Sequence, residues 1–117
     1  MPATFSQGNI VWVAIPDSHG GNVKRRPAVV VSADDKIGAD GFIRVAAITA
    51  LIGQAPFAET VELPHDSQGH SVTRLKRPSE VVCSWVVRVA IDDVEDSGGR
   101  VPPEVLNEIL VKVERLI

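Results

Sequence analysis

Cysteine chemistry is almost absent from this chain of 117 residues. Its one cysteine, Cys83, has no partner for an internal disulfide. Three scattered histidines and one cysteine do not make the spaced Cys/His set of a metal cluster. No metal or other cofactor is therefore expected. No apolar run reaches the ~18 residues of a membrane span, so no membrane partner is expected. The opening Met1-Pro2-Ala3-Thr4-Phe5-Ser6 carries neither the basic nor the apolar block of a secretion signal, which predicts a cytoplasmic protein. Repeats and low-complexity tracts are missing. So is any overall basic charge: 12 Lys and Arg against 15 Asp and Glu give −3, which by itself argues against a nucleic-acid binder. What is present is a composition 44% hydrophobic and 23% charged, which excludes a disordered chain. The length predicts one domain over 1–117, able to bury roughly 60–70% of its unfolded surface.

The distribution of charge differs from its sum. Six of the twelve basic residues fall in two clusters, Lys24-Arg25-Arg26 and Arg74 with Lys76-Arg77. Acid gathers elsewhere, in Asp92-Asp93-Val94-Glu95-Asp96 and along the last segment. At physiological salt, charges more than ~8 Å apart are largely screened, so a local basic patch on an acidic protein still attracts phosphate. Charge alone leaves two readings open: such a patch, or two ordinary solvated loops.

Apolar patterning predicts the elements. Gly8-Asn9-Ile10-Val11-Trp12-Val13-Ala14-Ile15 is β-branched and aromatic, a buried strand that Pro16 ends. Asp17-Ser18-His19-Gly20-Gly21-Asn22 has turn composition. Further strands are predicted at Ala28-Val29-Val30-Val31-Ser32, at 42–49, at 59–63 and at 80–91, the last bending or splitting near Ser84. Ser97-Gly98-Gly99 predicts a turn. After Pro102-Pro103 the period becomes helical: Val105, Leu106, Ile109, Leu110, Val113, Leu116 and Ile117 share one face. Glu104 in its first turn and Lys112 and Arg115 in its last suit the macrodipole. With no Ser, Thr, Asp or Asn to cap it, this helix must be held by packing. Short strands followed by one helix predict a mainly β fold, a small antiparallel barrel with the C-terminal α-helix against it or closing one end.

Three stretches then carry a resemblance. Gly8-Asn9-Ile10-Val11-Trp12-Val13 with Arg26-Pro27-Ala28-Val29-Val30-Val31-Ser32 comes first, then Val45-Ala46-Ala47-Ile48-Thr49-Ala50, then Leu75-Lys76-Arg77-Pro78-Ser79 leading into Val81-Val82-Cys83. In this order, with Gly99-Arg100-Val101 and the apolar helix, they resemble the PemK/MazF toxins over nearly the whole chain. The resemblance implies an SH3-like barrel that dimerises and cuts single-stranded RNA at short sequences without metal, leaving 2′,3′-cyclic phosphate and 5′-hydroxyl ends. It implies an antitoxin partner whose acidic tail covers the basic groove, and DNA binding together with that antitoxin. Arg26 matches the catalytic arginine of the family, suited to contacting phosphate oxygens. Thr49 matches its threonine, whose hydroxyl would donate to a non-bridging oxygen or orient the 2′-OH. His19 is a chemically suitable acid or base if the loop is shifted by one position. Lys24, Arg25, Arg74, Lys76 and Arg77 are candidate phosphate contacts. Trp85 is a base-stacking candidate, with burial among valines as its alternative. Trp12 is expected in the core or a dimer interface, Cys83 buried, and His65 and His70 merely exposed.

The sequence also departs from the family. Gly20-Gly21-Asn22 stands where relatives carry a glutamate, and Val82-Cys83-Ser84 where others carry Arg-Cys-Asp. These departures motivate two alternatives: a non-catalytic toxin that grips a protein target such as DNA gyrase through the helix tip at Leu116-Ile117, or a degenerate member.

Overall fold

The computed structural model describes residues 5–17, 20–37, 39–53 and 55–116. Among the described residues there are six strands and one α-helix, with three short 3-10 turns between strands: β1 (Asn9–Ile15), β2 (Lys24–Val30), β3 (Phe42–Thr49), β4 (Thr60–Leu63), β5 (Ser79–Ala90), β6 (Glu95–Arg100) and α1 (Pro103–Leu116). They form one sheet in the order β4-β5-β3-β2-β1-β6 with every pair antiparallel. The predicted mainly β fold is present as a curled half-barrel with α1 packed on it, β4 and β6 forming its edges.

The central strands read as near-continuous apolar runs because both of their faces are covered. One set of alternating side chains, including Ile10, Val29, Ala46, Ile48, Val81 and Cys83, packs under α1 against Ile109 and Val113. The other set, including Val11, Val13, Ile15, Ala28, Val45 and Ala47, fills a second core on the opposite face of the sheet. Lys112 adds a polar clamp, its Nζ donating to the Thr60 carbonyl at 2.8 Å. The predicted helical face is correct at Ile109 and Val113, with Val105, Leu106 and Leu110 partly buried, but Leu116 is exposed. Ile117 lies outside the described residues.

Three predictions need correction. First, β2 starts at Lys24, before Pro27, because β1 pairs with it down to Ile15↔Lys24. Second, 95–100 is a strand. Its Glu-Asp-Ser-Gly-Gly-Arg sequence is poor in strand formers, yet the free edge of β1 takes it up, with a shift between Ile10 and Val11 that absorbs Ser97 and Gly98. Pairing to an existing edge outweighs local propensity here. Third, Trp12 lies on the surface of the single chain, 36% exposed; of its two predicted places this removes the core and not the dimer interface. The predicted irregularity near Ser84 is present without a break in β5: β3 pairs Ala46 with Val86 and Ile48 with Val81, so Val82 to Trp85 bulge out opposite Ala47.

Candidate functional site

Proline creates the site. β2 pairs with β3 only from Ala28↔Ala47 to Val30↔Val45. Pro27 has no N–H for that ladder, so the strands separate there while β1 continues alongside β2. Extending the register two residues beyond Ala28↔Ala47 sets Arg26 opposite Thr49, across a gap with no pairing. The bulge in β5 turns Trp85 and Ser84 toward the same gap, the re-aiming of side chains that bulges commonly provide beside functional sites.

Arg26 is held on three sides. Its Nε donates to the Ile15 carbonyl at 3.4 Å and its Nη2 to the Asn22 carbonyl at 3.3 Å. Its Cζ lies 5.1 Å from the centroid of the Trp85 ring. Asn22 can supply that carbonyl because it adopts φ 50°, at the end of a turn closed by Asp17, whose Oδ1 accepts from the Gly21 N–H at 3.0 Å. Two of the five guanidinium N–H groups are thus used, and the rest have no partner among the described residues. Thr49, the last residue of β3, accepts the Leu51 N–H on Oγ1 at 3.0 Å, which leaves its own hydroxyl proton to donate. Across from Thr49 lies Glu80, 4% exposed, whose Oε1 accepts the Gly53 N–H at 3.3 Å and ties down the β3–β4 loop.

Two adjoining cavities meet at Lys24, Arg26, Thr49 and Leu51. The larger, of ≈ 690 Å³, is lined by all six residues of the two basic clusters, Lys24, Arg25, Arg26, Arg74, Lys76 and Arg77, and by no carboxylate. Trp12 forms part of its wall, with the Arg25 guanidinium 5.8 Å from its ring centroid. Arg25 is paired with Glu95 at 2.5 Å, while Lys24, Arg74, Lys76 and Arg77 make no ion pair among the described residues. The second basic cluster arrives on the β4–β5 loop, stiffened by Thr73. That buried hydroxyl donates to the Pro64 carbonyl at 2.6 Å and lies 2.8 Å from Ser71 Oγ.

The smaller cavity, of ≈ 500 Å³, adds Trp85, Ser84 and two carboxylates, Asp17 and Glu59. Sequence reasoning found neither acid. Glu59 is distant in sequence from the motif segments, and only the 3-10 turn at Phe57–Glu59 brings it here. Asp17 opened the predicted turn, but nothing in the sequence signalled that this turn faces the groove. Trp85 lies between its two predicted roles. It is half-buried, its Nε1 is fully buried without a hydrogen-bond partner among the described residues, and Arg26 covers its ring. His19 lies outside the described residues. His65 and His70 are exposed and do not line the two cavities. Among the described residues, no group of three His, Cys, Asp or Glu is arranged for a metal, and no helix is long and apolar enough to cross a membrane.

Fold and groove define a class: a small curled β half-barrel with one helix, presenting a basic cleft suited to a polyanion. Comparison with known proteins makes the class specific. Residues 6–117 match the family model of PemK-like, MazF-like toxins of type II toxin–antitoxin systems, and the chain belongs to that family. Among solved structures it is similar to MazF from Deinococcus radiodurans, at 24% identity and TM-score 0.74 over 97% of this chain and 96% of that one. It is similar to a MazE–MazF structure from the same organism, at 22% identity and TM-score 0.69, covering 97% and 95% of the two chains. An endoribonuclease in complex with its cognate antitoxin, from a mycobacterial species, aligns at 13% identity and TM-score 0.71, covering 96% and 93%. No curated protein sequence matches significantly.

Proposed function

We propose that this toxin is an endoribonuclease that cuts single-stranded RNA without metal, leaving 2′,3′-cyclic phosphate and 5′-hydroxyl ends. One observation carries the reading: Arg26 and Thr49, from separate strands, sit opposite each other in a groove lined by six cations. The ribose 2′-oxygen attacks the neighbouring phosphorus, the P–O5′ bond breaks, and a proton moves from the 2′-OH to a base while the 5′-oxygen gains one. The extra negative charge builds on the non-bridging oxygens, where pre-positioned donors lower the barrier most. The unused N–H groups of Arg26 and the Thr49 hydroxyl are those donors. A guanidinium with pKa above ~12 is a poor acid, so Arg26 stabilises charge and does not shuttle the proton. Of the two carboxylates on the wall, Asp17 is engaged by its own turn, whereas Glu59 makes no side-chain hydrogen bond or ion pair among the described residues. Glu59 is the group assigned to take the 2′-OH proton. It fills the role left open by Gly20-Gly21-Asn22 and Val82-Cys83-Ser84.

The partners follow from the same groove. A second copy of the chain and an antitoxin with an acidic segment are the proposed ones; solved relatives include MazE–MazF structures and a nuclease with its cognate antitoxin. Neutralising ~4–6 phosphates gives a log–log salt slope of about −3 to −4 for single strands.

The test is a long single-stranded RNA incubated with the pure protein in EDTA, beside Arg26→Ala, Thr49→Val and Glu59→Gln. Cutting by the wild type, cyclic-phosphate ends and large losses in all three variants are expected. RNA left intact by the wild type overturns the reading. One observation favours a second reading, a toxin that grips a protein such as DNA gyrase: Val111 and Leu116 are exposed on α1. In that case Leu116→Glu abolishes toxicity and Arg26→Ala does not. Expression without growth arrest would instead mark a degenerate member.

A further inference from the structure

A third cavity, of ≈ 460 Å³, lies beyond the groove between the β4–β5 loop and β6, lined by His70, Ser71, Arg74 and Arg100 with Gly69, Val72 and Gly98. Its volume falls within the range of small-ligand sites. Arg74 lines both this cavity and the large basic one, so the two adjoin at that residue. That junction is built into the fold. Arg74 holds φ 60°, a conformation rare outside glycine and typical of strain retained at functional positions. Gly98 allows its guanidinium to lie along β6, since a side chain there would meet Arg74 Cζ at 3.3 Å. Gly99 allows the loop itself to dock, because a Cβ there would collide with the Thr73 carbonyl.

The cavity lining contains two arginines and no carboxylate. Neither arginine makes an ion pair among the described residues. Two acids of the adjoining segments are held by backbone N–H groups: Asp66 Oδ2 accepts from Gln68 and His70 at 3.2 and 3.0 Å and lies 3.9 Å from His70 Nδ1, and Asp96 Oδ1 accepts the Gly98 N–H at 2.8 Å. Two unpaired guanidinia at the end of a phosphate-binding groove, one of them shared with it, suit a chain whose charges repeat along its length.

We propose that this cavity is a continuation of the RNA groove, taking the backbone phosphates of nucleotides that flank the cleaved linkage, with Arg74 as the hinge point and Arg100 as the distal contact. The proposal rests on the nuclease reading above. It makes the enzyme sensitive to substrate length beyond its cutting sequence.

The test uses two RNA oligonucleotides that share a cleavage sequence mapped on a long RNA: a short one spanning the groove, and one extended by about four nucleotides on each side. Wild type, Arg100→Ala and Arg100→Lys are compared by kcat/KM and by fluorescence anisotropy, after matching thermal midpoints establish that all three fold. For the wild type, the long-to-short ratio is expected near tenfold in kcat/KM and in affinity. In Arg100→Ala the ratio falls to about one and the salt slope on the long RNA drops by about 0.7, while Arg100→Lys recovers most of both. Equal ratios in wild type and Arg100→Ala overturn the proposal. So does an Arg100→Ala defect confined to an acidic peptide such as poly-glutamate, which would mark the cavity as a protein site. If no RNA is cut, the nuclease reading fails; the anisotropy ratio still decides whether the cavity follows RNA.

Discussion

The guanidinium of Arg26 lies 5.1 Å from the ring centroid of Trp85, and the Nε1 of that indole is buried with no hydrogen-bond partner among the described residues. The tryptophan therefore serves the arginine through its π-face, while its polar atom is a liability. A buried unpaired N–H costs about 1–3 kcal/mol, and a cation–π contact contributes about 0.5–2 kcal/mol. Trp85→Phe keeps the face and removes the N–H, so denaturant midpoints are expected to hold or rise, with cleavage retained. Trp85→Leu removes the face; turnover is expected to fall about tenfold with little change in KM. An equal loss in the two variants would show that the face does not orient Arg26.

Arg26→Ala is expected to slow cleavage by about 10²–10³-fold, the usual loss when one pre-positioned donor to a developing charge is removed. Arg26→Lys should rescue little of it, because an ammonium cannot hold the Ile15 and Asn22 carbonyls and still present a planar fork. Single-turnover cleavage of a saturating RNA measures both.

Thr49→Val keeps the shape and loses the hydroxyl, and a drop of about tenfold or more in kcat is expected. Thr49→Ser should stay near wild type. The variant also leaves the Leu51 N–H without its acceptor. A thermal melt beside the kinetics separates that structural loss from the chemical one: a lower midpoint with unchanged kcat would remove Thr49 from the mechanism.

Gly99→Ala drives a methyl into the Thr73 carbonyl, and Thr73 has little freedom to retreat while its hydroxyl is bonded to Pro64 and Ser71. A loss of about 2 kcal/mol or more is expected in chemical denaturation. RNA affinity should fall as well, since the displaced loop carries Arg74, Lys76 and Arg77.

Cys83 is buried beneath α1, and burial pushes its thiol up to about 11 from 9.0. The protonated form is the one the fold favours, so its contribution to stability is full below pH 9 and is lost as pH climbs toward 11. Alkylation by iodoacetamide at pH 8 should be negligible in the folded protein and rapid in denaturant. Cys83→Ala should flatten the alkaline decline; an unchanged decline would assign it to other groups.

Much of the architecture was legible from residue order alone. Strand runs such as Val29-Val30-Val31 and Val45-Ala46-Ala47-Ile48, and the change of period after Pro102-Pro103, set the mainly β class and the terminal helix, because burial periodicity is a local property. The same order pointed to Arg26, Thr49 and both basic clusters. Other features depended on the assembled sheet. A run of Glu-Asp-Ser-Gly-Gly-Arg became β6 because β1 had an unpaired edge, and Trp12, on the face of β1 opposite Val11 and Val13, was left at the surface because the helix-side core reaches Ile10 and not Trp12. Glu59 and the arginine-lined cavity at Arg100 joined the site, and Trp85, already a candidate, was aimed at Arg26, only when Pro27 parted two strands, a bulge turned a third, and a glycine pair let a loop dock. Such contacts connect residues tens of positions apart, and no local pattern encodes a distance between segments that meet only after folding.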